Sequence, residues 1–166
     1  MKKIILSFTA LYFSFGIYSQ TIVEAAVSNK DFSTLVTALK AADLVDALSG
    51  EGPFTVFAPN NAAFSKIDSE TLGSLLKPEN VEALTNILTY HVVSGKLMAS
   101  DVASALKSGY GKVKLTALNG QTITARSKGG KIYLKDSQGN MSEIIATDVA
   151  GSNGVIHVIS SVVMPE

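Results

Sequence analysis

Two kinds of hydrophobic spacing divide the chain near His91. Before it, apolar residues recur three and four positions apart, which is typical of one face of a helix. After it, they fall in short runs separated by glycine-rich turns, which is typical of strands joined by hairpins. The pattern therefore predicts helices in the first half and a β-sheet in the second.

Five segments carry the helical spacing. Asp31 is suited to cap the first, because its carboxylate can accept hydrogen bonds from the free N–H groups of an opening turn. One strand, Phe54–Ala58, interrupts the helices between a turn at residues 50–53 and Pro59. The apolar groups of the predicted helices lie within Phe32–Leu39, Leu44–Leu48, Ala62–Phe64, Leu72–Leu76 and Val81–Tyr90.

Five more strands are predicted after a short extended segment at His91–Val93. Turn-forming pairs such as Asn119-Gly120 and Asn153-Gly154 separate them. Helices in one half and strands in the other predict an α+β fold, with a largely antiparallel sheet covered on one side by helices. The predicted strands are Val113–Thr116, Thr122–Ala125, Ile132–Lys135, Ile144–Val149 and Val155–Ile159.

The first twenty residues have the pattern of an export signal. Lys2 and Lys3 precede an apolar run, Ile4–Phe15, which is short for a membrane span. We therefore expect a signal peptide at residues 1–20, cut near Ser19 or Gln20, and one domain at residues 21–166 with no further membrane span. An uncleaved N-terminal anchor is the alternative. The expected location is secreted, periplasmic or at the cell surface.

Composition narrows the possible chemistry. The chain has no cysteine and two histidines, and no spacing typical of a metal site or a dinucleotide fingerprint, so neither a metal nor a cofactor is predicted. It has 14 basic and 14 acidic residues, and loss of Lys2 and Lys3 with the signal would leave 12 basic residues and a net charge near −2. That balance disfavours nucleic acid as a partner.

The two histidines are the candidates for catalysis. His157 lies inside an apolar strand, which favours a buried imidazole hydrogen-bonded to backbone or to a hydroxyl, with Thr147 opposite it in a symmetric hairpin. His91 follows the longest helix, where it either satisfies the helix end or acts as a ligand or acid–base group. Asp148 is either a solvated carboxylate or a partner-facing one.

Three stretches together resemble the fasciclin-like domain family. The sequence GPFTVFAPNNAAF at residues 52–64 resembles the first signature box, and NGVIHVI at residues 153–159 resembles the second. Between them, LTYHVV at residues 88–93 resembles the family's Tyr-His motif. The positions that carry the two boxes are Thr55, Phe57, Pro59, Asn60, Phe64, Asn153, Gly154 and His157.

The resemblance implies a wedge-shaped sheet packed with several short helices, in which the two boxes form adjacent strands. It also implies a non-enzymatic adhesion module with two partner-binding positions. Tyr90-His91 matches the Tyr-His motif, and Asp148-Val149 matches an Asp-Ile pair with valine in place of isoleucine. Ser160 stands where many members of the family have an aspartate.

Three functions are compatible with this sequence. The first is a secreted or cell-surface adhesion module that binds a matrix protein, a polysaccharide, a cell surface or a second copy of itself, without catalysis. The second is a binding protein for a small apolar or lipid-like ligand held between helices and sheet. The third is a hydrolase that uses His91 with a nearby hydroxyl.

Overall fold

The computed structural model describes residues 19–166. The expected signal peptide lies outside the described residues, apart from Ser19 and Gln20. Within residues 19–166, no helix is long and apolar enough to cross a membrane.

In the described part of the chain, seven helices and seven strands form an α+β fold, as predicted. The helices are α1 Ile22–Ser28, α2 Ser33–Ala41, α3 Val45–Ser49, α4 Asn61–Phe64, α5 Ser69–Leu75, α6 Val81–Tyr90 and α7 Ala99–Ser108. The strands are β1 Phe54–Pro59, β2 Val92–Ser94, β3 Lys112–Thr116, β4 Thr122–Lys128, β5 Lys131–Lys135, β6 Met141–Gly151 and β7 Gly154–Ile159. Short 3-10 turns at Lys30–Phe32 and Pro78–Asn80 precede α2 and α6.

The sheet has the order β2-β1-β7-β6-β5-β4-β3. The pair β1–β7 is parallel and every other neighbouring pair is antiparallel. A bridge between Val93 and Ala117 joins the two ends of the sheet, so the sheet is nearly closed into a barrel. The expectation of adjacent box strands is confirmed, because β1 and β7 carry the two boxes.

Two cores lie on the two faces of the β1–β7 pair. Because side chains alternate along a strand, Val56 and Ile156 point to one face, where α1, α2, α3 and α6 pack. Phe57 and Ile159 point to the other, into a core enclosed by the curved sheet and α7. The sequence predicted helices on one face of the sheet, but in the structure helices pack against both faces.

Two helices were not predicted. In α7, which lies in the half expected to contain only strands, Val102 and Leu106 are the buried apolar residues, so its stripe is thin. Helix α1 begins with a capping box in which Thr21 accepts from the Glu24 N–H and the Glu24 carboxylate accepts from the Thr21 N–H. The prediction that Asp31 caps the next helix, α2, is wrong. Asp31 lies in the preceding 3-10 turn, which Asn29 caps.

Candidate functional site

The two box strands are held together where they begin. The side chain of Asn153 accepts from the N–H of Ile22 at 3.0 Å and donates to the carbonyls of Leu48 and Gly50 at 2.8 and 2.9 Å. Gly154 follows, and a Cβ there would collide with the carbonyl of Phe54 on β1. Asn153 therefore joins α1 and α3 to the sheet, and Gly154 allows the close approach of β7 to β1.

A polar cluster within the box strands holds the loop between β2 and α7. Thr55 Oγ1 donates to the carbonyl of Gly95 at 2.6 Å and accepts from the N–H of Leu97 at 2.9 Å. His157 Nε2 lies 2.6 Å from the carbonyl oxygen of Leu97. Both side chains are buried, so their hydrogen bonds fix the backbone of residues 95–97.

His157 has a partner on each ring nitrogen. Nε2 donates to Leu97, and Nδ1 accepts from the backbone N–H of Asp148 at 3.3 Å, which fits the tautomer protonated on Nε2. The ring also stacks on Phe57 with a centroid distance of 5.7 Å. The prediction of a buried, hydrogen-bonded imidazole is confirmed. The histidine lies opposite both Thr147, its predicted neighbour, and Asp148, because a bulge adds one residue to β6.

Asp148 connects this bulge to α7. Its backbone has a φ of 60°, in the left-handed region that aspartate tolerates better than most residues. Its Oδ1 accepts from the N–H of Ala99, the first residue of α7, at 2.8 Å. The carboxylate therefore satisfies a free donor at a helix N-terminus, where the helix dipole also favours negative charge.

Tyr90 lies in the core enclosed by the sheet and is fully buried. Its hydroxyl donates to the carbonyl of Thr122 at 3.0 Å and accepts from the N–H of Ser137 at 3.2 Å. Burial raises the pKa of this phenol, although the hydrogen bonds to Ser137 oppose the shift. Tyr90 thus joins the end of α6 to the first residue of β4 and to the turn after β5.

His91 is buried beside it. Nδ1 lies 2.7 Å from the carbonyl oxygen of Ile87, one helical turn back, and Nε2 accepts from the N–H of Val163 at 3.2 Å. Burial lowers the pKa of His91 to about 4, although the bond to Ile87 acts in the opposite direction. At neutral pH the ring is therefore uncharged, and its hydrogen bonds join α6 to the last residues of the chain.

Three further box residues lie where β1 turns into α4. Asn60 caps α4 by accepting from the N–H of Ala63 at 2.9 Å. Pro59 ends β1 and is buried, and Phe64 is 6 % exposed within the helical core. These residues fix the turn from the first box strand into α4.

The predicted partner-binding residues occupy two different environments. Tyr90 and His91 are in the interior, so neither can touch a partner in this conformation. Asp148 and Val149 are exposed and belong to a longer exposed run, residues 145–150 of β6.

This exposed run has one open strand edge. One edge pairs with β7, but β5 pairs with β6 only at residues 141–143, so within residues 19–166 no strand covers the edge that faces away from β7. Ile145 and Val149 present apolar side chains there, 49 and 39 % exposed.

A small cavity lies between the helices and the sheet. This is where the alternative of a small apolar ligand, given by the sequence, would place that ligand. It encloses about 20 Å³ and is lined by apolar residues of α1, α2 and β1 together with His91. That volume holds about one water molecule.

Among residues 19–166, no three His, Asp or Glu side chains form a cluster able to hold a metal ion.

Sequence reasoning did not find the contact between Asp148 and Ala99 or the polar cluster around residues 95–97. The boxes supplied Thr55 and His157, but their partners are backbone atoms of a loop about 40 and 60 residues away. Backbone atoms leave no residue pattern. Asp101, which accepts from the N–H of Met98 at 2.9 Å, was the available signal that a helix begins there.

This architecture, an almost closed seven-stranded sheet with helices on both faces of a parallel box pair, defines a known fold. It is similar to the solved structure of a FAS1 domain pair from the insect cell adhesion molecule fasciclin I, with a TM-score of 0.75 and 19% identity. The match covers 86% of this chain and 50% of that one, so the chain spans half the length of that structure. A profile of the fasciclin domain matches residues 30–165, and the chain belongs to this family.

Relatives of known sequence agree with this assignment. Protein sll1483 of Synechocystis sp. is 50% identical over 147 residues, 89% of this chain and 74% of that protein. Immunogenic protein MPB70 of Mycobacterium bovis is 33% identical, over 90% of this chain and 72% of that protein. Transforming growth factor-beta-induced protein ig-h3 of Sus scrofa is 32% identical over 87% of this chain, which spans 19% of that longer protein.

Proposed function

We propose that this protein is a non-catalytic adhesion module that acts outside the cytoplasm and binds its partner through the exposed half of β6. The observation that carries the proposal is the exposed run at residues 145–150, held in place from inside by His157 and by the contact of Asp148 with Ala99. Its family includes an insect cell adhesion molecule of the same fold, which supports the proposal.

The chemistry of this run suits a protein surface. An unpaired strand edge offers backbone donors and acceptors to an added strand, and alternate side chains then supply specificity. Ile145 and Val149 add apolar contact area beside the carboxylate of Asp148. The partner is therefore a matrix or cell-surface protein, with a second copy of the chain as the homotypic case. Tyr90 and His91 contribute by fixing α6, not by contact.

The hydrogen bonds of the two histidines favour binding over catalysis. Each ring nitrogen of both histidines is hydrogen-bonded to the backbone, and no hydroxyl among residues 19–166 is bonded to either ring. A general base needs a free nitrogen within reach of the proton it removes. The ligand-binding alternative would need the cavity to grow well beyond 20 Å³, because small-molecule sites span about 300 Å³ or more.

The test is a binding survey of the purified protein on arrays of matrix proteins, polysaccharides and producing-cell surfaces. The variant Ile145→Ser/Val149→Ser should lose binding while it remains folded. Its matched control is Leu118→Ser/Val27→Ser, which changes two exposed apolar residues elsewhere, 42 and 56 % exposed. Equal binding by both double variants would refute the β6 surface. A reproducible added mass in native mass spectrometry, with no surface binding, would favour the small-ligand alternative.

A further inference from the structure

The formal net charge of the whole chain is zero, but one segment is strongly basic. Residues 107–135 contain seven basic residues and no acidic one. Six of the seven lie on β3, β4 and β5, at positions that alternate with the buried residues Ile123, Ala125 and Leu134. They therefore share the outer face of this three-stranded meander. We call this surface the basic face: Lys112, Lys114, Arg126, Lys128, Lys131 and Lys135.

Strand register brings these cations together in rows. Lys112 pairs with Arg126, which pairs with Tyr133, and Lys128 pairs with Lys131. In the next row Lys114 pairs with Thr124, which pairs with Lys135. Like charges directly opposite each other destabilise a sheet. Lys112–Arg126 and Lys128–Lys131 are two such pairs, so their repulsion works against the stability of this sheet.

Acidic groups compensate little of this charge. Within residues 19–166 the one ion pair joins Lys131 to Glu143 of β6 at 2.8 Å. Asp136 is buried and accepts from Asn140 and from the N–H of Met164. Glu166 lines the same surface groove as Lys114, Arg126 and Lys135. Arg126 is half-buried, and its Nε has no hydrogen-bond partner among the described residues.

Groups suited to sugars lie among the cations. Thr124 and Tyr133 stand within the rows and Thr122 beside them, supplying hydroxyls and one aromatic ring. Tyr110, in the turn that leads into β3, is 97 % exposed and has a φ of 53°. Its neighbour Gly111 accepts from the N–H of Ser127 at 3.0 Å, so Tyr110 lies beside the end of β4. An exposed aromatic ring in a disfavoured conformation is a candidate stacking surface.

We propose that the basic face binds an anionic polysaccharide, with its carboxylate or sulfate groups on the lysines and Arg126 and a sugar ring on Tyr110. A repeating polyanion matches rows of cations and relieves the repulsion of the two like-charge pairs. Threonine and tyrosine hydroxyls distinguish this face from one that is only basic. This surface is separate from the β6 run, so the proposal goes beyond the adhesion function and does not depend on it.

The experiment measures affinity for polygalacturonate and heparin by titration calorimetry at several salt concentrations. Neutral dextran, anionic lipid vesicles and single-stranded DNA are the comparison probes. Binding should weaken as salt rises, because the Debye length falls from about 10 Å at 0.1 M to about 3 Å at 1 M. No binding to either polyanion at low salt overturns the proposal. Equal or tighter binding to vesicles or DNA overturns the choice of partner.

Matched charge variants locate the site. Lys112→Gln/Lys114→Gln/Lys128→Gln should bind polyanions roughly tenfold more weakly, since each exposed ion pair contributes modestly. Lys30→Gln/Lys40→Gln/Lys77→Gln removes the same charge from exposed positions on the helical side and should bind like the parent. Equal losses in both would overturn the basic face as the site.

Two further variants separate the parts of the proposal. Tyr110→Asn keeps the left-handed turn accessible, and it should weaken polysaccharide binding without changing the salt dependence. An unchanged affinity would remove the stacking role of Tyr110. Ile145→Ser/Val149→Ser should bind polyanions normally, so failure of the β6 proposal is distinguishable from failure of this one.

Discussion

The imidazole of His157 donates from Nε2 to the carbonyl oxygen of Leu97 at 2.6 Å, joining β7 to the loop that leads into α7. The same ring accepts from the N–H of Asp148 through Nδ1. One buried side chain thus holds the loop before α7 on one side and the bulge of β6 on the other.

Replacement of His157 by phenylalanine should lower the free energy of unfolding by about 1 to 3 kcal/mol, because it leaves the Leu97 carbonyl and the Asp148 N–H without partners. Urea denaturation followed by circular dichroism measures the change. A variant as stable as the parent that nevertheless loses partner binding would show that His157 acts in recognition instead.

Asp148→Ala should destabilise the protein by roughly 1 to 2 kcal/mol, because the N–H of Ala99 loses the acceptor at the start of α7 and because alanine tolerates the left-handed backbone at this position less well than aspartate. Asp148→Asn should cost less, since the amide oxygen can still accept while the charge near the helix N-terminus is lost. Amide exchange at Ala99 reports the contact directly. An exchange rate that is the same in the parent and in Asp148→Ala would contradict it.

The stability of the protein should fall as the pH is lowered from about 6.5 to about 4, because His91 binds a proton in the unfolded chain before it does so in the folded one. The depressed pKa corresponds to about 3 kcal/mol, present in full above pH 6.5 and lost as the pH falls through the folded pKa. Denaturation curves across this range for the parent and for His91→Gln check it. Since His157 is common to both proteins, parallel pH profiles would mean that His91 does not contribute.

Gly154→Ala should destabilise the protein by about 3 kcal/mol or more, because the new methyl group meets the Phe54 carbonyl and forces β7 away from β1. Gly73→Ala is the matched control, since a Cβ at this helical position meets nothing within 4 Å. That control should gain about 0.5 to 1 kcal/mol from better helix propensity. Equal thermal midpoints for the two variants would contradict the close approach of the box strands.

Local pattern predicted most of the secondary structure. The helical period through Val81–Tyr90 and the turn-bounded strands reproduce α6 and β3 to β7 to within a few residues. Helix α7 was missed because its two buried residues, Val102 and Leu106, give a weak period. The basic face was also visible in the sequence, at residues 107–135, but a charge summed over the whole chain conceals it.

The sequence by itself determined the α+β class, the family and the burial of His157, because periodicity and the two boxes are local properties of the chain. Only the tertiary structure decided that β1 and β7 run parallel, that Tyr90 and His91 face inward, and that Asp148 reaches Ala99. Those outcomes depend on contacts between residues far apart in the chain. The gain from such contacts depends on how every element packs, and no local pattern encodes it.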